Sequence, residues 1–187
     1  MKLILASNSP RRRELLSGLG VDYEVRVMQD IDESYPETLK GEEIPLYISR
    51  KKAAAYTLSA EEVLITADTI VWLDGQVLGK PSTPEEACRM LARLSGKTHQ
   101  VITGVTLTTS AMQHSFSSVS DVTFATLTPQ EISYYVEHYN PMDKAGAYGI
   151  QEWIGYIGVT ALKGSYFNVV GLPIQRLYSE LKRFSFI

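Results

Sequence analysis

The sequence predicts an α/β fold with a mixed sheet flanked by helices, and three observations carry that expectation. Short apolar runs of strand character alternate with helical patterns from the first residues onward. Asp74-Gly75 is a hairpin signal that interrupts the crossovers, so the chain is not a regular βαβ array. Ser9-Pro10, Thr83-Pro84 and Thr128-Pro129 each place a capping hydroxyl before a proline suited to the first helical turn. With 187 residues, 44% hydrophobic and 21% charged, the chain can bury a substantial core as one domain over residues 1–187. That domain can carry two lobes around a central cleft.

The elements follow in order. Leu3-Ile4-Leu5-Ala6 is a buried strand that turns through Ser7-Asn8-Ser9 into a helix from Pro10 toward Leu19. Tyr23 to Val27 alternates as a half-buried strand, and a polar irregular stretch runs from Gln29 to Gly41. Pro45 opens a helix to about Ser59. Val63-Leu64-Ile65 is a short central strand, ending at Thr66-Ala67-Asp68-Thr69, and Ile70 to Leu73 is a second strand. Gln76-Val77-Leu78 returns from the hairpin. A helix spans Pro84 to Leu94 and closes at Gly96. Long strands follow at His99 to Thr109 and Ser115 to Leu127, then a helix from Pro129 through His138, stopped by Asn140-Pro141. Asp143 to Gln151 reads as no element. Late strands are expected near Tyr156 to Leu162 and Tyr166 to Val170, with a final helix from Pro173. The apolar end, Phe184-Ser185-Phe186-Ile187, packs on its own domain or on a neighbour.

Charge and composition narrow the function. A net charge of -3 argues against bulk, sequence-independent nucleic-acid binding, but not against a small anion met by local clusters such as Arg11 to Arg13 and Arg50 to Lys52. The single cysteine, Cys88, excludes an internal disulfide framework and a cysteine-based zinc site, and reads as a core side chain. No apolar run has the length of a membrane span, and no signal-peptide core precedes Ser7, so a reducing, cytoplasmic setting is expected. His99, His114 and His138 have no metal-binding spacing and read as surface or sheet residues. P-loop, dinucleotide-binding, nucleophile-elbow, RRM and zinc-finger signatures are all missing.

Several residues can carry chemistry. Three arginines at a helix N-terminus oppose the macrodipole, at roughly 0.3–1 kcal/mol each at low salt. Arg11, Arg12 and Arg13 therefore point to an anion between the free N–H groups and the guanidinium forks, a phosphate cradle behind Ser9. Asp68 follows a buried apolar strand, where a carboxylate must be paired, hydrated or metal-bound. It is either a turn aspartate or a general base or metal ligand in a cleft. Lys80, held between Gly79 and Pro81, is an exposed turn lysine or a point charge aimed at phosphate. Lys52 and Glu33 each read as solvated residues when taken singly. In Asp143 to Gln151 the small residues allow close approach of a ligand, and Tyr148 can pack against a flat base. The Gln151 amide can match the O4 acceptor and N3–H donor of uracil or thymine, although the same amide can pair with adenine.

Taken together, these segments resemble the Maf family of nucleoside triphosphate pyrophosphatases over nearly the whole chain. The resemblance rests on Leu5-Ala6-Ser7-Asn8-Ser9-Pro10-Arg11-Arg12, Arg50-Lys51-Lys52-Ala53, Ala67-Asp68-Thr69, Gly79-Lys80-Pro81, Leu94-Ser95-Gly96 and Asp143 through Gln151. The Ala-Gly-Ala-Tyr-Gly-Ile-Gln segment is similar to the branch acting on dTTP and UTP. The resemblance implies an elongated, twisted mixed sheet akin to that of inosine-triphosphate pyrophosphatases (Maf/Ham1). It also implies hydrolysis to nucleoside monophosphate and pyrophosphate, a divalent cation (Mg²⁺, with Mn²⁺ or Co²⁺ as substitutes) and commonly a homodimer. It assigns Asp68 as proton acceptor, and Arg12, Thr69 and Gln151 to substrate choice. Ser9, Arg12, Lys52 and Lys80 face phosphate, Tyr148 and Gln151 line a base pocket, and Glu33 with Asp68 holds metal. Asn8 replaces a glycine common in the opening motif, and Glu152-Trp153 replaces a glycine-rich continuation that bears on the base pocket. The competing class is a non-catalytic nucleotide-binding regulator of cell division.

Overall fold

A computed structural model describes residues 1–187. Its strands are β1 (Lys2–Leu5), β2 (Tyr23–Val25), β3 (Glu62–Leu73), β4 (Gln76–Leu78), β5 (Thr98–Thr108), β6 (Gln113–Phe124) and β7 (Val159–Lys163). Its helices are α1 (Pro10–Ser17), α2 (Glu43–Ala54), α3 (Pro84–Leu94), α4 (Pro129–Tyr139), α5 (Trp153–Gly158), α6 (Tyr166–Val170) and α7 (Ile174–Arg183). The strands form one seven-stranded mixed sheet in the order β2-β1-β3-β5-β6-β7, with β4 paired to β3. β1 lies parallel to β2 and β3, whereas β3–β4 and β6–β7 are antiparallel.

The chain divides into two compact units. The first comprises Met1–Thr69, Thr103–Ser118 and Gly171–Ile187, and the second Ile70–Ile102 and Val119–Val170. In the first unit, Leu5, Leu16, Ile65, Val105, Leu177 and Leu181 form the heart of the core. Phe186 joins that core at 7% exposure, so the apolar C-terminus packs on its own unit. α2 lies directly against β5 at Gly104, where a Cβ would fall 2.4 Å from the Pro45 carbonyl carbon, so only glycine fits. Hydroxyls complete this contact. Ser49 and Thr106 share a hydrogen bond of 2.8 Å, and Thr66 donates to the Ser49 carbonyl at 2.7 Å. Lys52 sits one turn beyond Ser49 on the same helix.

The second unit closes around Val71, Leu91, Leu94, Phe124, Tyr135 and Ile154. Cys88 is partly buried against this core, and burial raises its thiol pKa. Thr83 and Thr128 cap α3 and α4 as the sequence predicts, and Thr128 with Glu131 forms a reciprocal capping box. Asn140 ends α4 in the left-handed conformation, with φ 45°.

Four expectations differ. The strand at Val63–Ile65 and the strand at Ile70–Leu73 are one strand, β3, because Thr66 and Ala67 are buried in extended conformation and the Thr66 hydroxyl is satisfied internally. Asp68 thus lies within a strand, not at its end. α2 begins before Pro45, which occupies the first turn where proline is tolerated, and stops at Ala54 rather than near Ser59. Tyr156 to Gly158 belongs to a helix, α5, before β7 begins. Tyr166–Val170 is also a helix, despite its β-branched and aromatic residues. The Ser165 hydroxyl accepts the Asn168 N–H at 3.3 Å, and the Asn168 amide donates to the Val101 carbonyl at 3.1 Å. A local cap and a tertiary hydrogen bond together override strand propensity here.

His99 on β5 is 1% exposed, and its Nε2 lies 2.6 Å from the Tyr148 hydroxyl. Its ring meets Phe124 and Tyr148 edge to face. Burial pushes its pKa down to about 4. The folded state then binds fewer protons than the unfolded state between that value and the ordinary histidine range, so stability declines as pH falls through this window. Urea unfolding followed from pH 7 to pH 4 is expected to show that decline, amounting to at most a few kcal/mol. His99→Gln, which retains a partner for Tyr148, is expected to flatten it; an unchanged slope would assign the pH dependence elsewhere.

Candidate active site

The opening motif folds as a loop braced from within. Ser9 caps α1, its hydroxyl accepting the Arg12 N–H at 3.4 Å, while the Ser9 N–H donates to the Ser7 hydroxyl at 3.2 Å. Arg13 turns back onto this loop, donating to the Ser7 carbonyl at 3.3 Å and the Asn8 side chain at 3.2 Å. Asn8, where the family commonly has glycine, thus contributes an acceptor.

Arg12 is a clamp. Its Nε donates to the Gly171 carbonyl at 2.9 Å, Nη1 to the Ala67 carbonyl at 2.9 Å and Nη2 to the Thr69 hydroxyl at 3.1 Å. Those bonds bracket Asp68 along the strand. Burial pulls the guanidinium pKa below its usual range, and the nearby Asp68 charge opposes that shift. Three of the five guanidinium donors are committed to the protein, which leaves two uncommitted. Thr69 also meets the Thr103 hydroxyl at 2.9 Å and the Gly171 carbonyl at 3.3 Å.

Asp68 pairs with Lys52, whose Nζ lies 3.0 Å from Oδ1. The same ammonium lies 3.1 Å from Glu33 Oε1 and 3.4 Å from the Ala67 carbonyl. The side chains of Lys52 and Asp68 are 14% and 12% exposed, so the pair is largely withdrawn from water. Glu33 reaches it because the next-door lysine pins the acidic loop. Lys51 contacts Asp32 at 2.6 Å and the Ser34 carbonyl at 2.9 Å, and these contacts with the Ser34 N–H hold the Asp32 carboxyl well below its usual range. Ser9, Arg12, Glu33, Lys52, Asp68 and Thr69 therefore all fall in the first unit.

Lys80, Tyr148 and Gln151 fall in the second unit. Lys80 is exposed, on a turn tied to the Asp143–Gln151 segment by the Gly146 N–H donating to the Gly79 carbonyl at 3.0 Å. Gly146 adopts φ 69° with no room for a Cβ beside Val71, and Ala147 adopts φ 61°. A buried alanine in that conformation costs about 1–2 kcal/mol, which the surrounding contacts must offset. Tyr148 is 6% exposed and packs edge to face on Phe124 and His99, so its ring offers no open face for stacking. Its part is to anchor the segment. The Gly149 N–H donates to the Tyr135 hydroxyl at 3.0 Å, and Tyr135 donates to Glu152, which also pairs with Lys144 at 3.2 Å. Glu152, a departure from the family pattern, is thus turned into this network. Gln151 Oε1 is buried with no hydrogen-bond partner, an unusual state for a side-chain acceptor.

Sequence reasoning did not single out Thr103, Tyr135 or Gly171. The first two are buried polar residues with no motif around them, and Gly171 acts through its backbone carbonyl, which no side-chain pattern announces.

The family model described as Maf-like protein matches residues 2–184. The chain belongs to the Maf family. A Maf relative from Phocaeicola vulgatus, named dTTP/UTP pyrophosphatase, is 66% identical over 184 residues, covering 97% of this chain and 95% of that protein. A relative of the same name from Flavobacterium psychrophilum is 46% identical, covering 99% and 95%. The fold is also similar to a Ham1 protein from Staphylococcus aureus (TM-score 0.53, 17% identity, 96% of this chain and 100% of that one). A HAM1 protein from Coxiella burnetii gives a TM-score of 0.55 at 13% identity, over 98% and 99%. At these identities the likeness is one of fold.

Because a lysine cannot span three separated acceptors, Arg12→Lys is expected to destabilise the Maf fold by about 1–3 kcal/mol, the cost of leaving buried acceptors unpaired. Chemical denaturation measures this directly. A wild-type unfolding midpoint would remove the clamp from the account of stability.

Proposed function

We propose that this Maf protein hydrolyses nucleoside triphosphates, dTTP and UTP foremost, between the α and β phosphates, giving a monophosphate and pyrophosphate and clearing unwanted nucleotides from the pool. The observation that carries the proposal is the Asp68 carboxylate flanked by Arg12 bonds and met by Lys52 and Glu33 within one unit. The names of relatives at 46–66% identity support the same substrates.

Members of the family generally require a divalent cation. No group of three or more His, Cys, Asp and Glu side chains forms a closed metal cage. The donor set that is present suits a hard cation shared with substrate: two carboxylates, Glu33 and Asp68, gathered around one positive charge. Mg²⁺ typically takes one or two carboxylates, with substrate phosphates and water completing its shell. When bound, such an ion neutralises charge on the phosphate oxygens. We take it to be Mg²⁺, with Mn²⁺ or Co²⁺ as substitutes.

In this reading Asp68 accepts the proton of the attacking water and orients it toward the α-phosphorus. The extended strand and the Arg12 bonds to its two neighbours hold the backbone at Asp68 in place, and positioning of this kind is where much of the rate advantage of a base arises. The uncommitted donors of Arg12, the α1 N-terminus behind Ser9, and Lys52 offer positive potential to the phosphates. Lys80, in the second unit, is assigned to phosphate by the family resemblance, and its charge is exposed and unpaired. Thr69, held by Arg12, Thr103 and Gly171, acts in substrate choice as a fixed hydroxyl. Gln151 offers its unpartnered Oε1 to the N3–H of uracil or thymine, a donor that cytosine lacks at that position. Tyr148 supports that segment from beneath. A homodimer and a reducing, cytoplasmic setting complete the proposal, the first on family resemblance and the second on the lone cysteine.

Asp68→Asn is expected to fold with a near-native melting curve yet lose about 10²–10⁴-fold in turnover. Pyrophosphate release from dTTP with Mg²⁺ is the readout, and wild-type turnover would exclude Asp68 as the base. Nucleotide binding with no product from the wild type would instead indicate a regulator, and free phosphate a γ-phosphatase. Gln151→Ala is expected to erode the kcat/KM preference for UTP over CTP by about tenfold, with a smaller effect on kcat. An unchanged ratio of the two would take base recognition away from Gln151.

A further inference from the structure

The Lys52 ammonium is ringed by oxygen: Asp68 Oδ1 at 3.0 Å, Glu33 Oε1 at 3.1 Å and the Ala67 carbonyl at 3.4 Å. Two carboxylates and a main-chain carbonyl are donors a hard divalent cation also prefers. An ammonium and a divalent ion compete for them, since like charges at such spacing repel. We propose, building on the activity put forward above, that Lys52 is the resident counter-ion of the Glu33–Asp68 pair. A divalent cation displaces it, and the freed ammonium turns to the triphosphate.

The surrounding structure separates what is fixed from what can move. Gly104 and the Ser49–Thr106 hydrogen bond lock α2 onto β5, so the backbone at Lys52 stays in place. Lys51 pins Asp32 and Ser34, which keeps the neighbouring Glu33 facing α2. Arg12 is engaged on both sides of Asp68 and does not replace the ammonium. The movable part is the four-carbon stem of Lys52, a flexible carrier of a compact charge. Without Lys52 the two carboxylates would lose the ammonium that pairs with both, leaving only the more distant charge of Arg12.

This arrangement couples two binding events. Metal alone must evict a cation that has nowhere equally good to go. Metal arriving with a triphosphate evicts it toward a polyanion, so each ligand strengthens the other by the same factor. A lysine that merely touched phosphate would leave metal affinity in the absence of nucleotide unchanged.

Mn²⁺ titrated calorimetrically into nucleotide-free protein separates these cases. Lys52→Met is expected to bind Mn²⁺ at least about tenfold more tightly than wild type, because a competing positive charge is gone. Glu33→Gln is expected to bind it more weakly. With a non-hydrolysable α,β-methylene dTTP present, wild type gains Mn²⁺ affinity and Lys52→Met gains less. Equal or weaker Mn²⁺ binding by Lys52→Met overturns the proposal. Should that variant fail to fold, acetylation of Lys52 in the wild type, followed by mass spectrometry, decides. Its rate is expected to rise with Mg²⁺ alone and to fall again once the analogue is added; no change with Mg²⁺ overturns the proposal. Pyrophosphate release is scored separately. Absent release with tighter Mn²⁺ binding by Lys52→Met sinks the enzymatic reading and leaves the counter-ion standing.

Discussion

The guanidinium of Arg12 joins parts of the chain that are 55, 57 and 159 residues away: the Ala67 carbonyl, the Thr69 hydroxyl and the Gly171 carbonyl. An arginine so deeply engaged is costly to bury, and it is tolerated because its planar fork meets three acceptors at once. Through these bonds the N-terminal helix, the strand bearing Asp68 and the segment leading into α7 are held in one geometry. The charge on the fork also interacts favourably with the Asp68 carboxylate nearby. Structural tie and electrostatic support therefore come from one side chain, and the position of the backbone at Asp68 depends on it.

A second constraint is the spacing between α2 and β5. Gly104 removes the side chain that would hold the helix off the strand; in the narrow gap the Ser49 and Thr106 hydroxyls bond each other and the Thr66 hydroxyl donates to the Ser49 carbonyl. Such a contact gains little from hydrophobic burial. It gains definition, because each hydroxyl has few ways to be satisfied away from water. The reach of Lys52 toward Asp68 follows from that spacing, and so does the approach of the acidic loop held by Lys51.

Much of this was legible in the chain and some was not. Helix starts at Ser9-Pro10, Thr83-Pro84 and Thr128-Pro129 were readable because caps are local chemistry. The continuity of β3 was hidden, since Thr66 to Thr69 looks polar and turn-like unless the partners that satisfy it are known. α6 was misjudged for a related reason: Ser165 caps it locally, but the Asn168 amide that secures it donates to the Val101 carbonyl, 67 residues away. Asp68, Lys52 and Glu33 were nameable from an ordered set of motifs, but their shared hydrogen bonding is three-dimensional information. Tyr148 was nameable too, yet its burial against Phe124 and His99 was not, since an aromatic among small residues reads equally as platform or core.

The clamp on Arg12 distributes mutational risk unevenly. At position 67 the acceptor is a main-chain oxygen, so the bond itself asks only for an extended backbone, but Ala67 is buried in the core and leaves room only for a small side chain. At position 171 the acceptor is again main chain, but φ of 135° restricts which residues can present it. Position 12 has no substitute of equal reach. Substitution is thus limited by volume at one end of the clamp, by backbone shape at another, and by reach at its centre.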